Sequence, residues 1–276
     1  MTKTYLITGA SSGFGRLMTE RLLARGDRVV ATVRKPDVLA DLYTAYGDRL
    51  VVKILELTDT AGIRTIVDQA FTEMNRIDVV VSNAGYGLFG AAEELDDAEI
   101  DRQIATNLTG SIQFIRSALP YMRAQGGGRI VQISSEGGQI AYPAFSLYHA
   151  TKWGIEGFVA SVAQEVAPFG IDFLLVEPGP TGTDFKAGLS IAPPMEEYAT
   201  TPAGDVRRSL ENGTFGVLAD ASKSVDAIID AMDANAPPLR LALGSTAYNS
   251  ITKALTGRLN AIEAQRNIAI AVDVAH

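Results

Sequence analysis

The chain has 276 residues, 47% of them hydrophobic and 20% charged, with a net charge of −8 at neutral pH. That length builds one large α/β domain or two small ones, and the acidic balance disfavours nucleic acid and anionic membranes as partners. There is no cysteine, and the two histidines, His149 and His276, are too few for a histidine-based site, so no metal, disulfide or thiol nucleophile is expected.

Met1-Thr2-Lys3 runs straight into the apolar Tyr5-Leu6-Ile7, so no signal peptide is expected. No apolar run has the length to span a bilayer. The expectation is a cytoplasmic protein without a membrane partner.

Short, solidly apolar runs fall at 5–8, 28–33, 50–57, 78–82, 129–134, 172–177 and 239–243. Continuous rather than alternating apolarity is what strands covered on both faces carry. Each of the first six is followed by a loop and a helix-length segment. That alternation predicts an α/β fold with a doubly wound, Rossmann-type parallel sheet of about seven strands and helices on both faces. No internal repeat or low-complexity linker divides it, so 1–276 reads as a single dinucleotide-binding catalytic domain. Prolines and glycines break the periodicity at 186–216, from Lys186 to Gly216, which reads as a substrate lid.

The first strand leads into Thr8-Gly9-Ala10-Ser11-Ser12-Gly13-Phe14-Gly15, and a helical pattern follows over 16–25. Glycines permit a tight turn and let backbone N–H groups approach a pyrophosphate. The helix N-terminus aims its dipole at the same place. Gly9, Gly13 and Gly15, with Ser11, Ser12 and Phe14 among them, form the candidate dinucleotide cradle. The second strand ends in Val33-Arg34-Lys35, where an acidic residue would favour NAD. Arg34 is placed to hold a 2′-phosphate, with Lys35 in support, so NADP(H) is preferred and NAD(H) is possible. The competing reading makes both residues solvated surface charges. Glu56 closes the third run, with Leu57 beside it, where an acidic side chain meets an adenine amino group.

Tyr148 and Lys152 lie four apart in a predicted helix over 146–167, and so on one face. A free phenol titrates near 10, and lowering that by about three units takes about 4 kcal/mol. An adjacent ammonium and a cationic nicotinamide would supply it. Ser135, at a strand end, is placed to donate to a substrate oxygen. Asn107 is placed to hold a water or backbone group that relays a proton through Lys152. His149, next to the tyrosine, points about 100° away and reads as structural or substrate-lining.

Taken in order, these residues resemble the short-chain dehydrogenase/reductase superfamily, in its compact single-domain branch, over nearly the whole chain. The glycine run is similar to that family's T-G-x-x-x-G-x-G, and Ser82-Asn83-Ala84-Gly85 to its N-N-A-G segment. Pro178-Gly179-Pro180-Thr181-Gly182-Thr183 resembles its nicotinamide-contacting P-G segment. The resemblance implies a catalytic set of Asn107, Ser135, Tyr148 and Lys152. It also implies cofactor contacts from Asn83, Ala84, Gly85, Tyr148, Lys152, Pro178, Gly179, Thr181 and Thr183. The implied reaction moves a hydride between nicotinamide C4 and a carbinol carbon while Tyr148 exchanges the proton. Ser82, Thr151 and Glu56 depart mildly from the family pattern, and Ser12 stands where some NADP-preferring members carry a basic residue.

Substrate is expected at the carboxyl ends of the strands, against Ser135, Gln139, Tyr142 and Tyr148. Further candidate walls are Tyr86, Phe89 and Phe145, and Phe185, Leu189, Met195, Tyr198 and Phe215 of the lid. No arginine pair is evident there, which predicts a medium-sized, largely apolar ketone or secondary alcohol. The alternatives are a non-catalytic dinucleotide-sensing protein on the same fold and a redox-assisted isomerase or dehydratase. The apolar tail 268–274 is expected to pack on the core, a partner subunit or the cleft. Apolar surfaces near 98–125 and 146–167 point, by analogy, to a homodimer or homotetramer.

Overall fold

The computed structural model describes residues 2–183, 185, 187–216 and 218–274. Lys186, where the predicted lid begins, and His276 lie outside the described residues.

The chain opens with β1 (Thr4–Thr8), α1 (Gly13–Arg25) and β2 (Arg28–Val33), then α2 (Ala40–Tyr46), β3 (Leu50–Ile54) and α3 (Thr60–Met74). It continues through β4 (Val79–Ser82), the two-residue β5 (Leu88–Phe89), α4 (Asp97–Ile104) and α5 (Ser111–Ala124). Next come β6 (Gly128–Ile133), α6 (Ser146–Val166), β7 (Ile171–Pro178), β8 (Ser190–Ile191) and α7 (Pro202–Glu211). The last elements are α8 (Ala221–Asp233), β9 (Arg240–Leu243), α9 (Ser245–Glu263) and α10 (Arg266–Ala271). Seven strands form one sheet in the order β3-β2-β1-β4-β6-β7-β9, and every pairing in it is parallel. This is the doubly wound α/β fold.

Strand alternation sends neighbouring side chains to opposite faces. Tyr5, Ile7, Val29 and Ala31 pack under α1 and α8, against Met18, Leu22 and Ile228. Leu6, Val30 and Val80 face the other way, against Ile63, Phe71, Phe114 and Ile155 of α3, α5 and α6. Each fully buried aliphatic side chain contributes about 1.5–3 kcal/mol. The order reverses at β1, which has β2 on one side and β4 on the other. Loops leaving their carboxyl ends diverge there and open a crevice.

Two expectations are corrected. The third strand ends at Ile54, so Leu55–Leu57 leaves the ladder after one last bond, Leu55 N–H to Val33 O at 2.9 Å. The segment predicted as a lid is not irregular throughout. β8 pairs with β5, and α7 starts where the Thr201 hydroxyl accepts from Ala203 N–H and Pro202 sits at the first helical position. Glu94 pins this segment to the body, accepting from Met195 N–H at 2.9 Å and from Arg207 Nη2 at 2.7 Å.

Candidate active site

The dinucleotide end of the crevice is built from backbone. Gly9 has φ +69°, and a Cβ there would lie 2.8 Å from Ala84 Cα. Gly15 fills a similar role: its Cβ would meet Gly9 O at 2.3 Å. Gly15 therefore packs strand against helix and does not line the crevice. Gly13, with φ +52°, has only Thr183 near its missing Cβ and faces open space. The α1 N-terminus carries no acidic residue in its first turn, and the Ser12 side chain does not cap it. Its free N–H groups therefore point at the cleft, which suits a pyrophosphate. Thr8 braces the turn: its hydroxyl accepts from Asn83 N–H at 2.9 Å and Ala84 N–H at 3.0 Å, while Asn83 Nδ2 donates to Thr8 O at 2.8 Å.

Arg34 and Glu56 are both exposed and line this end, with the buried Leu57 beside them. Among the described residues no carboxylate pairs with Arg34. Lys35 does not line the cleft. A Cβ on Gly110 would meet Leu57 O at 2.5 Å, so a glycine there lets the third-strand loop close over α5.

Asn107 sits on a π-helical turn, Ala105–Gly110, joining α4 to α5. That extra residue per turn is a local departure often found at functional sites. It aims the amide at Tyr86, whose N–H donates to Oδ1 at 3.1 Å and whose carbonyl accepts from Nδ2 at 2.7 Å. Asn107 is therefore buried behind the cleft wall rather than in it.

Ser135, Tyr148 and Lys152 come together on the floor of a cavity of about 710 Å³. Ser135 lies just beyond β6; its Oγ accepts from Gly137 N–H at 3.1 Å and donates to Pro178 O at 3.5 Å. Lys152, one turn beyond Tyr148 on α6, donates from Nζ to Ile133 O at 3.0 Å and lies 5.6 Å from the Tyr148 ring centre. Burial pushes the phenol up to about 12, against the lowering effect of Ser135. Burial also brings the lysine down to about 8, against the raising effect of Glu156. In the bare protein, desolvation thus outweighs the activation expected from the neighbouring amine.

Pro178, Gly179, Thr181 and Thr183 line the cleft beyond Ser135, with Thr181 Oγ1 donating to Gly179 O at 2.9 Å. Tyr142, Phe145, Phe185, Leu189 and Phe215 wall it, as does Tyr86. Several expected walls are elsewhere. Gln139 donates to Glu177 Oε2 at 2.7 Å and does not line the cavity. Phe89 is fully buried against Phe145, and Met195 and Tyr198 lie outside the lining. Tyr198 reaches Glu93 Oε2 at 2.9 Å instead.

His149 is buried and held at both nitrogens: Nδ1 donates to Gly137 O at 2.9 Å and Nε2 accepts from Tyr142 N–H at 3.3 Å. Burial holds its pKa below the ordinary imidazole value. It ties the loop carrying Tyr142 to α6. Residues that sequence reasoning missed include Glu99, Arg102 and Thr106 at the mouth, where Arg102 stacks over Tyr86 at 5.9 Å. The helical spacing of Glu99 and Arg102 on α4 was readable, but the cavity they face, with Thr106 of the π-helical turn, was not.

Residues 3–193 match the short chain dehydrogenase family. Oxidoreductase BOA17 of Botryotinia fuckeliana is 36% identical over 255 residues, 92% of this chain and 93% of that protein. The 3-ketodihydrosphingosine reductase of Bacteroides thetaiotaomicron is 36% identical over 187 residues, 68% of this chain and 67% of that protein. A crystal structure of a short-chain dehydrogenase from Streptomyces avermitilis superposes with a TM-score of 0.92 at 36% identity, covering 99% of this chain and 98% of that one. The chain belongs to the short-chain dehydrogenase family. Fold and family together define it as an oxidoreductase. Among the described residues no helix is long and apolar enough to cross a membrane.

Proposed function

We propose that the protein interconverts a ketone and a secondary alcohol on a medium-sized, largely apolar substrate, with NADP(H) preferred over NAD(H). The observation that carries the reading is the buried Tyr148 phenol together with Ser135 at the base of an aromatic-walled cavity, with Lys152 one turn away. Tyr148 exchanges the proton with the substrate oxygen, and Ser135 orients that oxygen. Lys152 supplies positive charge under the phenol and binds the cofactor ribose. Asn107 acts by holding the Tyr86 backbone, and through it the cleft wall. The bound nicotinamide supplies the hydride-exchanging carbon and, when oxidised, a positive charge that favours the phenolate.

Gly9, Ser11, Ser12, Gly13 and Phe14 hold the pyrophosphate in this reading. Asn83, Ala84 and Gly85 meet the adenosine side, and Pro178 to Thr183 meet the carboxamide. Support for NADP(H) comes from Arg34, exposed at the cleft and without a carboxylate partner among the described residues. An apolar ketone fits the walls, and the sphingosine-ketone reductase among the relatives is named for a substrate of that kind.

The reading takes the chain as one cytoplasmic catalytic domain acting as a homodimer or homotetramer. The tail 268–274 packs on neither core nor cleft within the chain: Ile268 is 72% exposed and Val272 79%. The deciding experiment is a panel of ketones and secondary alcohols with NADPH, NADH and their oxidised forms, read at the nicotinamide absorbance. Turnover of apolar ketones faster with NADPH is expected. No turnover of any member, with dinucleotide still bound, would favour a sensing role.

A further inference from the structure

Behind Lys152, on the side away from the cleft, lie two carboxyl groups that the reaction above does not use. Glu156 follows Lys152 by four residues on α6, so Tyr148, Lys152 and Glu156 share one helix face. Glu177 comes from β7. Both are almost completely buried, at 3% and 1% exposure. Both carboxyl groups converge on one guanidinium nitrogen, Arg240 Nε. Two carboxylates buried this close cannot both be ionised without a large penalty, so the pair holds a proton.

The surroundings fit one proton and one negative charge. Ser134 Oγ donates to Glu156 Oε1 at 2.6 Å, and Gln139 Nε2 donates to Glu177 Oε2 at 2.7 Å. Among the described residues a single cation, Arg240 of β9, faces both: Nε lies 3.4 Å from Glu156 Oε2 and 3.2 Å from Glu177 Oε1. The latter contact lacks hydrogen-bond alignment, and Glu177 Oε1 has no hydrogen-bond partner. Gly138 closes the pocket, because a Cβ there would strike Glu156 Oε1 at 1.8 Å. Lys152 precedes Glu156 by one turn of α6. The Glu136 carboxyl, on the loop after β6, accepts from Ser250 of α9. Arg258 of α9 donates to the Gln139 carbonyl and stacks over Trp153.

Lys152 and the pair are joined through adjacent residues at the end of β6: Nζ bonds the carbonyl of Ile133, its last residue, and Ser134, just beyond, bonds Glu156. Among the described residues Lys152 makes no ion pair within 4 Å. Its charge state therefore depends on longer-range fields, which buried surroundings screen weakly. Resting on the role read for Lys152 above, we propose that Glu156 and Glu177 are a proton-sharing carboxyl pair whose single negative charge holds Lys152 as ammonium and so sets the pH range in which Tyr148 works. Both are positioning residues. Burial draws the lysine towards its neutral form, the charge at Glu156 opposes this, and burial against Glu156 lifts Glu177 to about 7.

The pair makes a prediction with two signs. Glu156→Gln leaves the one negative charge on Glu177, farther from Lys152. The acid limb of the alcohol-oxidation pH profile then moves up by about half a pH unit or more. Glu177→Gln places the charge wholly on Glu156, and the limb stays or moves down. The double variant loses the charge and moves up furthest. The second readout needs no turnover: infrared spectra of protein carrying ¹³C-labelled glutamate, near neutral pH. A protonated carboxylic-acid band that shifts with the label, and disappears in either single variant, is expected. Absence of that band in the wild-type protein overturns the shared proton. A band with both single variants moving the limb equally and in one direction overturns the link to Lys152. If Tyr148→Phe keeps full activity, the reading of the site fails instead, while the band still reports on the pair.

Discussion

The two ends of the cleft are made of different material. At the dinucleotide end the contacts come from backbone: the Gly9–Gly15 turn, the open N-terminus of α1 and a brace from Thr8 to Asn83. At the substrate end they come from side chains brought from far apart. Tyr86, Tyr142, Phe185 and Phe215 lie on separate loops, and β5 and β8, a hundred residues apart in sequence, meet to close the wall. A backbone site tolerates few changes because its geometry is its function. A side-chain site keeps its fold while its specificity drifts.

The comparison can be broken most sharply at the floor the two ends share. Tyr148→Phe is expected to lower turnover by at least about 10³-fold, within the range of lost general acid–base catalysis. Dinucleotide affinity, by fluorescence titration, should change little, and turnover near the wild-type rate would remove the phenol from the chemistry. Gly9→Val attacks the backbone end. It forces a β-branched residue to φ +69° with its Cβ against Ala84, and should cost about 2 kcal/mol or more in chemical denaturation and abolish dinucleotide binding. A variant of normal stability and affinity would show that the turn is not the cradle.

Arg34→Asp sharpens the comparison, since it reverses the one basic side chain that lines the backbone end among the described residues. Loss of charge-assisted bonds predicts a fall of about 10- to 100-fold in the NADPH/NADH ratio of kcat/KM. An unchanged ratio would leave Arg34 as a surface charge. At the other end, Phe215→Ala removes edge-on contacts to Tyr142 at 5.3 Å. It should raise KM for apolar ketones by about 2- to 10-fold and leave dinucleotide affinity alone. A matching loss of dinucleotide affinity would merge the two ends.

The smallest effect concerns pH. His149 is held neutral in the fold, below its ordinary value of 6.5. The unfolded chain therefore binds the extra proton first as pH falls. The stability this gives is complete above about 6.5 and is lost as pH drops through the folded value. Melting curves between pH 7.5 and 5 should show that decline, and His149→Gln should flatten it from a lower starting point. An identical acid slope in the variant would assign the decline to other groups.

Legibility followed the same division. The glycine turn, the strand runs and the Tyr148–Lys152 spacing lie in short stretches whose meaning is local, so period and spacing exposed them. The third run overshot because Leu55 and Leu57 are buried like strand residues after the backbone has left the ladder. Helix α7 hid because Gly204 and a polar pattern masked it, although Thr201-Pro202 carried a helix start. Gln139 looked like a cleft residue by position, and only the packing of β7 against β6 turned it to Glu177.

What the sequence alone determined is the parallel sheet, the position of its crevice and the candidates for the reactive groups. Those depend on residue type and on periods of two and 3.6. The tertiary structure alone decided which side chains share the cavity, where Asn107 points, and that Glu156 and Glu177 meet behind Lys152. Such meetings join residues from different elements, and burial fixes their protonation. Neither is written in the spacing along the chain.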